Sequence, residues 1–94
     1  MKGAIRFNDY LKEQLKNKEF KKAFEEEEVY ASLAIQIAKL RQDNGISQKD
    51  LAKALETTQQ TISRLEDPHN KSLSLSTLIK LAEAFRKKLK IRFA

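Results

Sequence analysis

The stretch Gln59-Gln60-Thr61-Ile62-Ser63-Arg64 gathers side chains whose chemistry matches the edges of nucleic-acid bases. A Gln amide pairs in two-pronged fashion with adenine N6 and N7, an Arg guanidinium with guanine O6 and N7, and Thr supplies a methyl or hydroxyl contact. If the stretch is helical with Ile62 and Leu65 inward, steps of about 100° per residue put Gln60, Ser63 and Arg64 on the opposite face, with Gln59 at its edge. That face carries no carboxylate. A solvated polar face is the bland alternative, and by pattern alone the two readings are evenly matched.

Phosphate contacts are expected from helix ends and flanking cations. Gln48 follows Ser47 in a first helical turn, where free N–H groups and the helix dipole favour an anion. Arg41, Lys49 and Lys71 lie in segments that could reach a backbone, although any surface cation can equally be a solvated charge.

These residues need helices to hold them, and the chain encodes helix starts. Ser47 precedes Asp50 by three residues and Ile46 can staple onto Leu51, a strong start signal. Thr58 caps the helix carrying Ile62 and Leu65. Ser74 caps another, whose inward residues read as Leu75, Leu78, Leu81, Ala82 and Phe85, with Leu73 as its staple. Upstream, Leu33, Ile37 and Leu40 keep helical spacing until Asn44-Gly45, so a helix is expected from about Val29 to Asp43. Residues 9 to 28 read as one or two further short helices, with Leu11/Leu15 and Phe20/Phe24 each on one face and a break capped by Asn17. Asp67 to Leu73 holds the only Pro and reads as a loop. Lys88 to Phe93 alternates charged and apolar residues at period two, a strand pattern that needs a partner: Ala4 to Phe7, a symmetry mate or another protein.

The expected fold is therefore all-α: five to six short helices and a short C-terminal β-strand, divided into an arm at 1–28, a helix-turn-helix domain at 29–87 and the strand at 88–94. Ala52 matters most to the crossing of the two motif helices. A larger side chain there would push the second helix off the first and misplace the reading face.

Composition agrees with a small DNA-binding domain. Ninety-four residues allow one modest core and little room for an enzyme cleft. There is no Cys and a single His, His69, so neither a Cys nucleophile nor a familiar zinc site can be assembled, and no Gly-rich phosphate loop is present. No catalytic residue, metal ligand or cofactor is assigned. Without a signal-like or membrane-length apolar run, a cytoplasmic location is expected. The net charge of +6 is unevenly placed: residues 1 to 30 hold seven basic and seven acidic side chains, residues 31 to 94 twelve and six. The basic part suits a polyanion, and the neutral third needs another purpose.

The stretches LRQDNGISQKDLAKAL, TTQQTISRLE and LSTLIKLAEAF resemble the Cro and phage-repressor (Xre) family of helix-turn-helix domains, over about residues 33 to 86. Within them, TTQQ looks like the start of the recognition helix of lambdoid repressors, which implies base contacts by Gln59 and Gln60. The leading FNDYLKEQLKNKEFKKAFEEE and the closing KKLKIRF are similar to HigA-type antitoxins along nearly the whole chain. That resemblance implies a RelE/HigB-like messenger-RNA endonuclease toxin as partner, with the pair repressing its own operon, and a homodimer on double-stranded operator DNA. Three positions depart from the family pattern: Glu56 stands at the turn position usually held by Gly, Asp67-Pro68 replaces Gly after the recognition helix, and Arg86 replaces Gly after the fourth helix. Glu56 must therefore adopt a left-handed conformation at some cost, or the turn must differ.

For partner capture the candidates are Tyr10, Leu11, Phe20, Phe24 and Tyr30, read either as arm packing or as anchors. Glu25 to Glu28 reads either as a solvated helix start or as a dock for a basic partner. The five cations from Arg86 to Arg92 read as edge protection of a strand or as phosphate contacts. The functional expectation is an autorepressing antitoxin. Its alternatives are a stand-alone regulator with no toxin, or chiefly a protein-binding module.

Overall fold

The computed structural model describes residues 10–13 and 17–94. Residues 10–13 are helical, and four complete helices follow: α1 Lys18–Asp43, α2 Gln48–Ala54, α3 Gln59–Leu65 and α4 Leu75–Ala84. Each starts where a side-chain oxygen accepts from a backbone N–H that the helix cannot satisfy. Asn17 Oδ1 accepts from Glu19 and Phe20 N at 2.9 and 3.1 Å. Ser47 Oγ accepts from Asp50 N at 3.0 Å, Thr58 Oγ1 from Thr61 N at 3.2 Å and Ser74 Oγ from Thr77 N at 3.2 Å. All four expected caps are in place.

Three helix ends share one geometry. After α1, Ile46 N donates to Arg41 O and Gly45 N to Gln42 O. After α2, Thr57 N donates to Ala52 O and Glu56 N to Lys53 O. After α4, Lys87 N donates to Ala82 O and Arg86 N to Glu83 O. This paired pattern requires a left-handed residue just past the cap. Gly45 (φ 68°), Glu56 (φ 54°) and Arg86 (φ 56°) supply it. Glu56 and Arg86 thus take the left-handed conformation expected of the Gly positions they occupy. The α3 end differs: Glu66 stays at φ −91°, and Asp67 builds the loop by accepting from His69 N at its Oδ1 (2.9 Å) and from Asn70 N at its carbonyl (3.0 Å). The Asp67-Pro68 departure is accommodated by this side-chain turn.

Ile37, Leu51, Ala52, Ile62, Leu65 and Leu81 form the buried core, flanked by Ile46, Leu55, Leu73, Leu78 and Phe85. One residue from α1, two each from α2 and α3, and one from α4 meet there. Leu51 and Ile62 have no exposed surface, and Ala52 is 4% exposed between the motif helices.

Three expectations are corrected. α1 is a single 26-residue helix rather than a short one beginning near Val29, because nothing between Asn17 and Asn44 breaks it: the segment has no Gly or Pro, and its charged turns continue the helix that Asn17 starts. The expected boundary at 28 falls inside α1. Leu75 is 55% exposed, since it occupies the first position of α4, ahead of the turns that reach the core. Finally, residues 88–94 form no strand, and no ladder is present among the described residues. The alternating pattern is real, but a strand exists only with a second backbone to bond. Its expected partner within the chain, Ala4 to Phe7, lies outside the described residues.

Candidate nucleic-acid interface

α2 and α3 are joined by a turn of four residues whose course is set by left-handed Glu56 and by Thr58, the cap of α3. Burying Ile62 and Leu65 fixes the roll of α3. Gln59, Gln60, Ser63 and Arg64 are consequently all exposed. Thr61 is half-buried, and its Oγ1 lies 3.0 Å from Thr58 Oγ1, so its hydroxyl serves the cap and its methyl is what remains for a thymine.

The orientation of α3 is held from its other end. Arg41 Nε donates to Glu66 Oε2 at 2.6 Å and Nη2 to Oε1 at 3.0 Å, while Nη1 donates to the Ile46 carbonyl at 2.9 Å. Gln48 Nε2 adds a third donor to Glu66, at 3.1 Å from Oε1. The side chains of Arg41 and Glu66 are only 13% and 8% exposed. This one carboxylate ties the last turn of α1, the loop before α2 and the first residue of α2 to the cap of α3. Burial pushes the Glu66 carboxyl up, but hydrogen bonds from Arg41 and Gln48 and the Arg41 charge outweigh it, leaving the group below the usual Glu range. The Arg41 guanidinium moves up, held protonated by its hydrogen bond to Glu66 against the cost of burial.

The phosphate candidates separate accordingly. Arg41 is committed to an internal pair: all three of its guanidinium nitrogens donate within the protein, so it positions α3 instead of facing a phosphate. Gln48 is half-buried with its amide N oriented by Glu66. Lys49 is exposed beside it on α2. Lys71, in the loop before α4, lies 3.5 Å from Glu27 on α1, with both side chains largely exposed. Glu66 is the residue that sequence reasoning missed. Its only local signal is a carboxylate directly after Leu65 on a helix otherwise free of them.

A capped pair of crossing helices whose outer one exposes two amides, a hydroxyl and a guanidinium is the geometry of a DNA-reading motif. Residues 37–91 match the helix-turn-helix family, more than half of the chain. The chain belongs to that family, in its Cro and repressor type. As a helix-turn-helix protein it is a sequence-specific DNA-binding regulator, with α3 in the place of the recognition helix. No match is found among curated proteins or among solved structures. The matched region leaves out most of α1, from Lys18 to Gln36.

That unmatched part of α1 carries several of the partner candidates. Phe20 and Phe24 are half-buried and stacked, their ring centroids 6.4 Å apart at 17°. Tyr30 and Leu11 are half-buried and Tyr10 is 51% exposed. Glu25 to Glu28 are all exposed. Among the described residues no cluster of His, Asp or Glu could hold a metal ion, and no helix is long and apolar enough to cross a membrane.

Proposed function

We propose that this helix-turn-helix protein is the antitoxin of a toxin–antitoxin pair, binding its own operator as a dimer and holding a RelE-like ribonuclease through the N-terminal half of α1. The reading assigns it regulation and no catalysis. The observation that carries the DNA part is the carboxylate-free exposed face of α3, Gln59, Gln60, Ser63 and Arg64, fixed by Arg41, Gln48 and Glu66. Two such faces related by a dyad would read half-sites about 34 Å apart.

The toxin part is supported by what lies outside the DNA-binding region. The structure extends 53 × 26 × 20 Å with a radius of gyration of 17.1 Å, well above the roughly 12 Å of a compact chain of this length. A 26-residue helix is about 39 Å long, so α1 reaches far beyond the core it joins at Ile37. Its outer half offers stacked Phe20 and Phe24 beside four consecutive Glu, a combination of aromatic anchors and negative charge suited to a cationic ribonuclease.

A stand-alone regulator without a toxin is favoured by one observation, that the family match is confined to 37–91. Co-expression with the product of the adjacent gene separates the two. Co-purification, relieved by Phe20→Asp with Phe24→Asp while operator binding persists, is the expected result. A protein that shifts its upstream DNA but captures no neighbour is a plain repressor, and one that fails to shift that DNA at low salt refutes the whole reading.

A further inference from the structure

The loop that leaves α3 carries one lysine, and a residue outside the helix-turn-helix holds it. Lys71 Nζ lies 3.5 Å from Glu27 Oε1 on α1, with the two side chains 51% and 62% exposed. The family match covers 37–91, so the contact crosses its boundary, with Lys71 inside and Glu27 before it.

The backbone on both sides of Lys71 is tied down. Asp67 Oδ1 accepts from His69 N at 2.9 Å, and Asn70 Oδ1 accepts from Ser72 N at 3.1 Å and from Ser72 Oγ at 2.6 Å, closing a turn across Lys71 itself. What remains free to move is the flexible four-carbon side chain, whose ammonium can change acceptor while the loop stays in place. A helix lying in the major groove is bordered by phosphates, and the loop leaving α3 runs out of the groove toward them. Lys71 therefore has two anionic claimants, the Glu27 carboxylate and a DNA phosphate.

Of the four consecutive Glu, Glu27 is the one placed to make this claim. At about 100° per residue it falls roughly two turns before buried Ala34 and four before Arg41, on the face of α1 that meets α3 and the loop after it. Glu26 and Glu28 point about 100° to either side, and Glu25 to roughly the opposite face.

We infer that Glu27 restrains DNA binding: it holds the Lys71 ammonium in the free protein, a phosphate must displace it, and the affinity for DNA backbone is thereby set in part from outside the helix-turn-helix. The exchange leaves the Glu27 carboxylate unpaired near DNA, which subtracts from what Lys71 contributes. An exposed ion pair of this kind is weak enough to be exchanged. The inference rests on DNA binding by the helix-turn-helix alone and needs neither a toxin nor a dimer.

The experiment is fluorescence anisotropy of the full chain over a salt series, on a duplex of arbitrary sequence, where phosphate contacts supply the binding. The variants are Glu27→Gln, Lys71→Gln, the two together, and Glu28→Gln, which changes the charge equally without touching Lys71. All three positions are exposed, and unchanged thermal melts check that the fold is kept. Glu27→Gln is expected to tighten binding about two- to fivefold at low salt and to steepen the salt slope by up to about 1, with Glu28→Gln doing clearly less. Lys71→Gln should weaken binding, and the gain from Glu27→Gln should disappear in the double variant. Equal gains from Glu27→Gln and Glu28→Gln, or a gain from Glu27→Gln that survives Lys71→Gln, would show a diffuse charge effect and overturn the inference. So would a Lys71→Gln variant that binds as tightly as the wild type.

Discussion

Arg41 near the end of α1 and Glu66 at the cap of α3, twenty-five residues apart, form a two-pronged ion pair with contacts of 2.6 and 3.0 Å. It joins the helix that reaches away from the core to the helix that faces DNA. A paired, hydrogen-bonded buried charge is tolerated, whereas a single one is costly. Removing one partner is therefore far worse than removing both. Arg41→Met alone is expected to destabilise the protein by about 1–3 kcal/mol, because it strands the partly buried Glu66 carboxylate, while Arg41→Met with Glu66→Leu costs much less. Urea unfolding of the two variants against the wild type checks this; equal losses would show that the pair acts by shape alone.

The same pair sets an acid limit. The Glu66 carboxyl is held below its ordinary value of 4.5, so its contribution to stability is fully present above that value and is lost as pH falls through the lower folded-state value. The melting temperature should fall as pH drops below about 4.5. In Glu66→Gln this component of the acid slope should disappear, leaving a lower but flatter profile. A variant with an unchanged acid slope would place the sensitivity in other carboxylates.

On α3, base and phosphate contacts predict different signatures. Gln60→Ala and Arg64→Ala should each cost about 1–3 kcal/mol on the cognate site and relax preference at one base pair. Lys49→Ala on α2 should weaken all sequences alike and reduce the salt slope by about 1. Arg41, turned inward, should change the salt slope hardly at all once the loss of folded protein is corrected for. Fluorescence anisotropy on cognate and scrambled duplexes over a salt series measures all four.

How much of this was legible in the sequence depends on how local each feature is. The caps at Asn17, Ser47, Thr58 and Ser74 bond within three residues, so the local pattern identifies them. The roll of α3 was legible too, because Ile62 and Leu65 are the only large apolar residues on it and both are buried. The Arg41–Glu66 pair was not, since no periodicity links residues that far apart; Arg41 looked like any surface cation. The length of α1 was misread for a related reason. Apolar spacing marks where a helix packs, and no residue of α1 before Ala34 is buried, so the signal fades before the helix does. The terminal strand pattern described a preference that one chain cannot satisfy.

Ala52 gives the packing prediction. At 4% exposure, it lies in the same buried cluster as Leu51, Ile62 and Leu65. Ala52→Leu adds three carbons to a filled space and should cost about 1–3 kcal/mol. Because the added volume separates α2 from α3, operator affinity should fall by more than the loss of folded protein explains. Binding measured well below the melting temperature isolates that excess.

Glu56 and Arg86 offer the opposite sign. Both sit at φ near 55°, where a β-carbon crowds the following carbonyl, at positions that close helix ends by the same pair of hydrogen bonds as Gly45. Glycine removes that crowding but gains more freedom in the unfolded chain, so the net gain is smaller than the strain. Glu56→Gly and Arg86→Gly are each expected to stabilise by about 0.5–1 kcal/mol, read as a rise in melting temperature. Their functional effects should part. Glu56 lies in the turn that aims α3, so relaxing it trades stability for aim, and operator affinity should stay level or fall. Arg86 ends α4, away from the reading face, and its glycine variant should bind the operator as the wild type does. A destabilised Glu56→Gly would mean that its side chain makes a contact worth more than the strain it carries.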